Sequence, residues 1–280
     1  METGPMGEAK SRAAQRAKAR AERTIPENLD RLDAGERSIR QLSIDGIHGA
    51  EDMMDHVELL EAVMDHIDFH VVLPPADADQ ETIQLLGARG FNDLASAYGQ
   101  MLRGYYQISA MVMRDVMEIV FLLGMFERDR SCIREWRELD EAERKKKFRP
   151  VKVREFLDTF DGFQEQNRRR AYDMFCDYAA HPTPAGFELM GPTGGGKRTI
   201  GPFFDEPLLR AMLVELAQLA AQLGNYMGTM LDRDHSIPAM ETSLRRLEVT
   251  GRWAERYLGR KFEHREFAEM RATLEKMKLG

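Results

Sequence analysis

The chain has 280 residues, 43% hydrophobic and 31% charged, enough for one large helical domain or two small ones around a sizeable core. A formal charge of −7 and a pI near 5.6 exclude a general attraction to nucleic acid, so any such contact must come from a local patch. Two cysteines, Cys132 and Cys176, without paired spacing exclude a disulfide framework and fit a reducing, cytoplasmic compartment.

Residues 1–24 form a basic arm, with Arg12, Arg16, Lys18, Arg20 and Arg23 among alanines and no apolar stripe. It reads as a solvated helix or a floppy segment. Residues 25–90 form an acidic helical segment: from Gln41 to Ala88 there are 11 acidic residues and no lysine or arginine. Within it Met53, Val57, Leu60, Met64, Ile67 and Val71 recur at steps of three and four, one face of a helix. Glu58, Glu61, Asp65 and Asp68 line another face, which reads as a wet one. Pro74-Pro75 stops this helix.

A helical core is expected over 91–235. Phe91 to Phe126 reads as one long helix or two joined near Gly104. Its second half is apolar nearly all round, as in the central element of a bundle. Arg114, Asp115 and Glu118 interrupt that apolar stretch, and each would cost about 2.5–3.5 kcal/mol at a bilayer centre. A buried helix of a soluble protein is therefore the better reading than a membrane span. A short helix near Cys132–Leu139 precedes Arg144 to Arg154, a run with seven basic residues and no acid. The next helix runs from about Phe163 to Ala180 and ends at His181-Pro182. Gly186 to Phe204 reads as a small Gly-rich β-hairpin or an ordered loop. Leu209, Met212, Leu216, Leu219, Leu223, Tyr226 and Met230 then give a strong helical stripe. Two C-terminal helices, about Pro238–Leu258 and Glu263–Met277, fill 236–280. The expected fold is therefore an all-α bundle.

Two motifs fail on their context. Gly191 to Lys197 satisfies the letters of a phosphate-binding loop, but Arg198 stands where a metal-binding Ser or Thr is needed. The following Thr-Ile-Gly-Pro-Phe-Phe cannot open a helix, so no nucleotide is expected there. His66 and His70 have metal-ligand spacing beside Asp65, but no Glu-x-x-His accompanies them. Neither a metal nor a cofactor is expected.

Two others carry chemistry. Arg114 and Glu118 lie one turn apart on the most apolar helix, where a charge must be paired. They read either as an ion pair that sets bundle register or as an arginine aimed into a polar cleft. Tyr178 and His181 share a face at a helix end, where the dipole favours a charged imidazole. Here the choice is between a capping histidine and a proton carrier.

Arg114-x-x-x-Glu118 and Tyr178-x-x-His181-Pro182-Thr183 together resemble the HEPN superfamily, in particular AbiV-like and related bacterial domains, over roughly residues 91–230. The resemblance implies helical bundles, frequent homodimers, and metal-independent RNA cleavage or RNA binding in phage defence and toxin–antitoxin systems. Arg114, Glu118, Tyr178 and His181 would then be catalytic, with His181 moving a proton at the RNA 2′-hydroxyl and arginine steadying the phosphorane. Lys145, Lys146, Lys147, Arg149, Lys152, Arg154, Arg169 and Arg170 would hold the RNA backbone. The family's pattern places an arginine shortly before the histidine, whereas this chain has Met174, Phe175 and Cys176 there. Arg170 lies 11 residues back, about 16 Å along a helix, which leaves Arg114 as the candidate. The alternative is a non-enzymatic interaction module, with the acidic segment from Asp45 to Glu81 and the basic segments mediating self-association or partner docking.

Overall fold

The computed structural model describes residues 5–22, 24–162, 166–195, 198–231, 236–261 and 264–279. Among them every regular element is helical and there is no strand. In chain order the helices are α1 (Pro5–Glu22), α2 (Glu27–His48), α3 (Glu51–Val71), α4 (Ala78–Leu102), α5 (Tyr106–Arg128), α6 (Ser131–Glu138) and α7 (Glu141–Phe148). They continue with α8 (Pro150–Asp161), α9 (Asn167–Phe175), α10 (Glu206–Leu231), α11 (Ile237–Leu258) and α12 (His264–Leu279). No described helix is long and apolar enough to cross a membrane.

The core forms where α3, α4, α5 and α10 pack against one another. α10 is apolar nearly all round and buries Leu209, Leu213, Leu216, Leu223 and Met227. On α3 the buried arc is wider than the six-residue stripe and shifted toward Leu59, Val63, His66 and His70. The reason is that α3 touches α4, α10 and α11 together. Gly90 of α4 allows close approach of α10: a Cβ there would lie 2.7 Å from the Leu223 side chain.

α4 begins at Ala78, well before Phe91, because the Asp77 side chain caps the Gln80 N–H at 2.7 Å. α4 and α5 are two helices broken at Gly104, whose φ is +80°. The Phe203 main chain sits against that turn. Tyr106, fully buried, donates to the Asp205 carbonyl and accepts from the Asp205 N–H, both at 3.3 Å.

The Gly-rich stretch is a loop rather than a hairpin. Ala185–Met190 forms a 3₁₀ turn, and one backbone bond, Thr199 N–H to Met190 O at 2.8 Å, joins the two arms. The flanking residues lack alternation, and Asp205 supplies the order instead. Its carboxylate accepts from Thr193 N–H and Leu208 N–H at 2.9 Å each, tying the loop to the start of α10. Gly196 and Lys197 lie outside the described residues, as does Phe163. The helix expected from Phe163 is described from Asn167, and its last turn widens into a π turn over Cys176–Ala180.

The acidic face of α3 meets a row of arginines on α11. Arg245 pairs with Glu61 and with Asp65, Arg252 with Glu58 at 2.9 Å, and Arg256 with Glu51 at 3.0 Å and Asp55 at 2.6 Å. Beneath this ladder the Trp253 indole N–H donates to His56 Nδ1 at 2.8 Å, and burial pushes that imidazole's pKa down.

Candidate functional site

α5 presents Arg114 and Glu118 toward α8 and α9, and the residue that meets them is Tyr172. Arg114 Nη2 donates to Glu118 Oε1 and to the Tyr172 hydroxyl at 2.7 Å each, and that hydroxyl donates to Glu118 Oε1 at 2.8 Å. The Arg154 guanidinium, nearly buried, lies 4.0 Å from the centre of the Tyr172 ring. Thus the sequence-level pair is assembled, but with Tyr172 rather than Tyr178, and with Arg154 as its lid rather than a surface contact.

The electrostatics of this group suit holding charge more than moving protons. Burial opposes the Arg114 charge, but the bonds to Tyr172 and Glu118 outweigh it and leave its pKa above the ordinary value. Burial, with Glu118 adding and Arg114 opposing, pushes the Tyr172 hydroxyl above its usual 10. General acid–base work at neutral pH needs a group titrating near 7. Tyr172 does not offer one.

Tyr178 and His181 stand apart from this cluster. α9 runs antiparallel to α5: Tyr172 is level with Glu118, whereas the Ala179 carbonyl accepts from Gln107 at 2.7 Å. Gln107 and Arg114 are separated by about 10 Å along α5. His181 closes the π turn through its own N–H to the Cys176 carbonyl at 3.1 Å, and its side chain is exposed.

The basic run is split where Pro150 opens α8. Lys145 pairs with Glu141, Lys147 with Glu135, and Lys152 with Glu155 at 2.6 Å. Arg169 pairs with Asp173 at 3.4 Å and Arg170 bonds Asn167. Lys146 and Arg149 remain exposed on α7 and at its end. A groove of about 620 Å³ along α8 and α9 therefore mixes Arg154 and Arg169 with Glu155, Asp158 and Asp173. It presents no continuous positive track.

Next to the arginine cluster lies a cleft of about 560 Å³ between α4, α5, α6 and α8. Leu86, Ile119, Leu122, Trp136 and Val153 form its apolar floor, and Glu118 belongs both to its wall and to the arginine cluster. On the rim Arg89 reaches Asp115 at 2.7 Å. Asp115 also approaches Asp93, whose carboxyl pKa is pushed up to about 7 by burial first and by Asp115 second. A proton held between these two carboxyls would satisfy the buried Asp93 Oδ2, which has no other hydrogen-bond partner among the described residues and meets Arg89 Nε only at 3.9 Å. Sequence reasoning missed this clasp; its only local signal was Asp115 beside Arg114 in an apolar helix. Among the described residues no group of three or more His, Cys, Asp or Glu side chains could hold a metal. No protein-family model, curated protein or solved structure matches the chain.

Proposed function

We propose that this chain is a helical binding protein whose ligand site is the cleft between α4, α5, α6 and α8. The observation that carries the reading is a largely apolar cleft of about 560 Å³, within the range of ligand pockets, with polar groups converging at its rim. In the neighbouring cluster Arg114 Nη2 is shared between Glu118 and Tyr172, and His181, beyond the π turn that follows α9, makes no hydrogen bond to that cluster among the described residues. The interaction reading is therefore favoured over RNA cleavage. Self-association through the acidic segment is a separate reading, and the α3 face it would use is occupied by α11 arginines.

The test uses the neutral polarity-sensitive fluorophore N-phenyl-1-naphthylamine. Saturable one-to-one binding is expected for the unaltered chain and should be lost in Leu122→Trp, which fills the floor, with little change in melting temperature. Absence of saturable binding would overturn the reading. RNA cleavage by the unaltered chain that disappears in His181→Ala would replace it with the catalytic one.

A further inference from the structure

The charges around the cleft are not evenly satisfied, and the imbalance specifies a ligand class. Both arginines on its wall are already engaged. Arg89 is held by Asp115, while Arg137 is held by Asp79 at 2.7 Å and by the Ala78 carbonyl at 2.9 Å. An anionic ligand would therefore share each guanidinium with a carboxylate already bound to it.

The acids are in the opposite position. Glu118 receives both Arg114 and Tyr172 on Oε1, and no hydrogen bond among the described residues reaches Oε2. Glu81, also on the wall, takes part in no ion pair among the described residues. The two bonds on Oε1 fix the plane of the Glu118 carboxylate, so its second oxygen is oriented before any ligand arrives. Such preorganisation lowers the ordering cost of binding. The floor below supplies only carbon: Leu86, Ile119, Leu122 and Trp136 can cover an apolar body but cannot hydrogen-bond its head, save through the indole N–H.

We infer that the cleft takes a cationic amphiphile, an alkyl or aryl amine whose ammonium meets Glu118 Oε2 while its apolar body lies against Leu86, Ile119 and Trp136. The inference rests on the cleft being the ligand site, and the experiment separates the two. Nonylamine, nonanol and nonanoate have one apolar body and three head charges. Each is titrated against the chain near neutral pH, by displacement of the neutral fluorophore and by calorimetry. The amine should bind at least about tenfold more tightly than nonanoate, a difference of roughly 1.4 kcal/mol, with the alcohol between them. Glu118→Gln should bring the amine down to the affinity that the same variant shows for the alcohol. Glu81→Gln, at the exposed rim and outside the arginine cluster, should weaken the amine alone by a smaller factor, and this variant decides the matter if Glu118→Gln unfolds. Equal affinities for the three heads, or a preference for nonanoate, would overturn the amine assignment and leave the cleft standing. Failure of all three to displace a bound fluorophore would overturn the amine assignment; failure of the fluorophore itself to bind would remove the cleft along with it.

Discussion

Replacing Tyr172 with phenylalanine isolates the hydroxyl that joins α9 to Arg114 and Glu118 of α5. The ring would remain under Arg154, 4.0 Å away. The bonds to Arg114 and Glu118, at 2.7 and 2.8 Å, would be lost. A hydrogen bond to a charged group contributes about 1.5–3 kcal/mol net. Arg114 and Glu118 keep 29% of their side-chain area exposed, so water replaces part of the loss and about 2 kcal/mol is expected. In a chain of this size that corresponds to roughly 3–4 °C in melting temperature. Tyr172→Leu should cost about 1 kcal/mol more, because the cation–π contact with Arg154 also disappears. Urea titrations with unchanged slope would measure both, and a cycle with Arg114→Met should return a coupling of about 1 kcal/mol or more. If Tyr172→Phe lies within about 0.5 kcal/mol of the parent chain, the hydroxyl holds nothing together and the cluster is only a crowding of side chains.

The Asp93 carboxyl titrates near 7 in the folded chain and near 3.9 when unfolded. The folded state thus binds the extra proton, and this stabilisation, full below about pH 4, is lost as pH rises to about 7. Asp93→Asn should flatten that decline by about 1–2 kcal/mol in urea titrations from acid to neutral pH, and an unaltered slope would refute the shared proton. Gly104→Ala puts a Cβ 2.2 Å from the Phe203 carbonyl oxygen at a φ of +80°. It should cost more than about 2 kcal/mol, whereas Gly99→Ala, with no atom within 4 Å of the new Cβ, should be neutral or slightly stabilising. Arg245→Ala breaks pairs with Glu61 and Asp65 that are about half exposed. It should cost less than about 1 kcal/mol, and the difference should vanish in about 1 M salt.

Helix periodicity made most of the bundle legible, since apolar residues repeating at 3.6 must face a core wherever the core lies. α11 falls within a residue of expectation for this reason, and the stripe from Leu209 to Met230 lies wholly within α10. α4 was obscured by Gly87 and Gly90, which weaken a helical pattern locally yet let α10 approach. The pairing of Arg114 with Glu118 could be read because both partners share one helix. Tyr172 and Arg154 could not, because their contact depends on how α8 and α9 fold back onto α5, a tertiary fact with no periodic trace. The basic run misled in the same way: its counterions Glu135 and Glu141 lie just upstream, and only the turn between α6 and α7 brings Glu135 to Lys147.

The α3–α11 ladder also bears on how the chain is made. Glu58 and Arg252 are 194 residues apart, so at about 5–20 residues per second on a ribosome α3 waits roughly 10–40 s for its partner. During that interval Glu51, Asp55, Glu58, Glu61 and Asp65 stand unneutralised at three- and four-residue spacing, repelling one another along the helix. The same charges keep a nascent segment carrying Leu59, Val63 and Ile67 in water rather than in aggregates. α11 is thus both a strut of the bundle and the counterion that α3 lacks until α11 itself has been made.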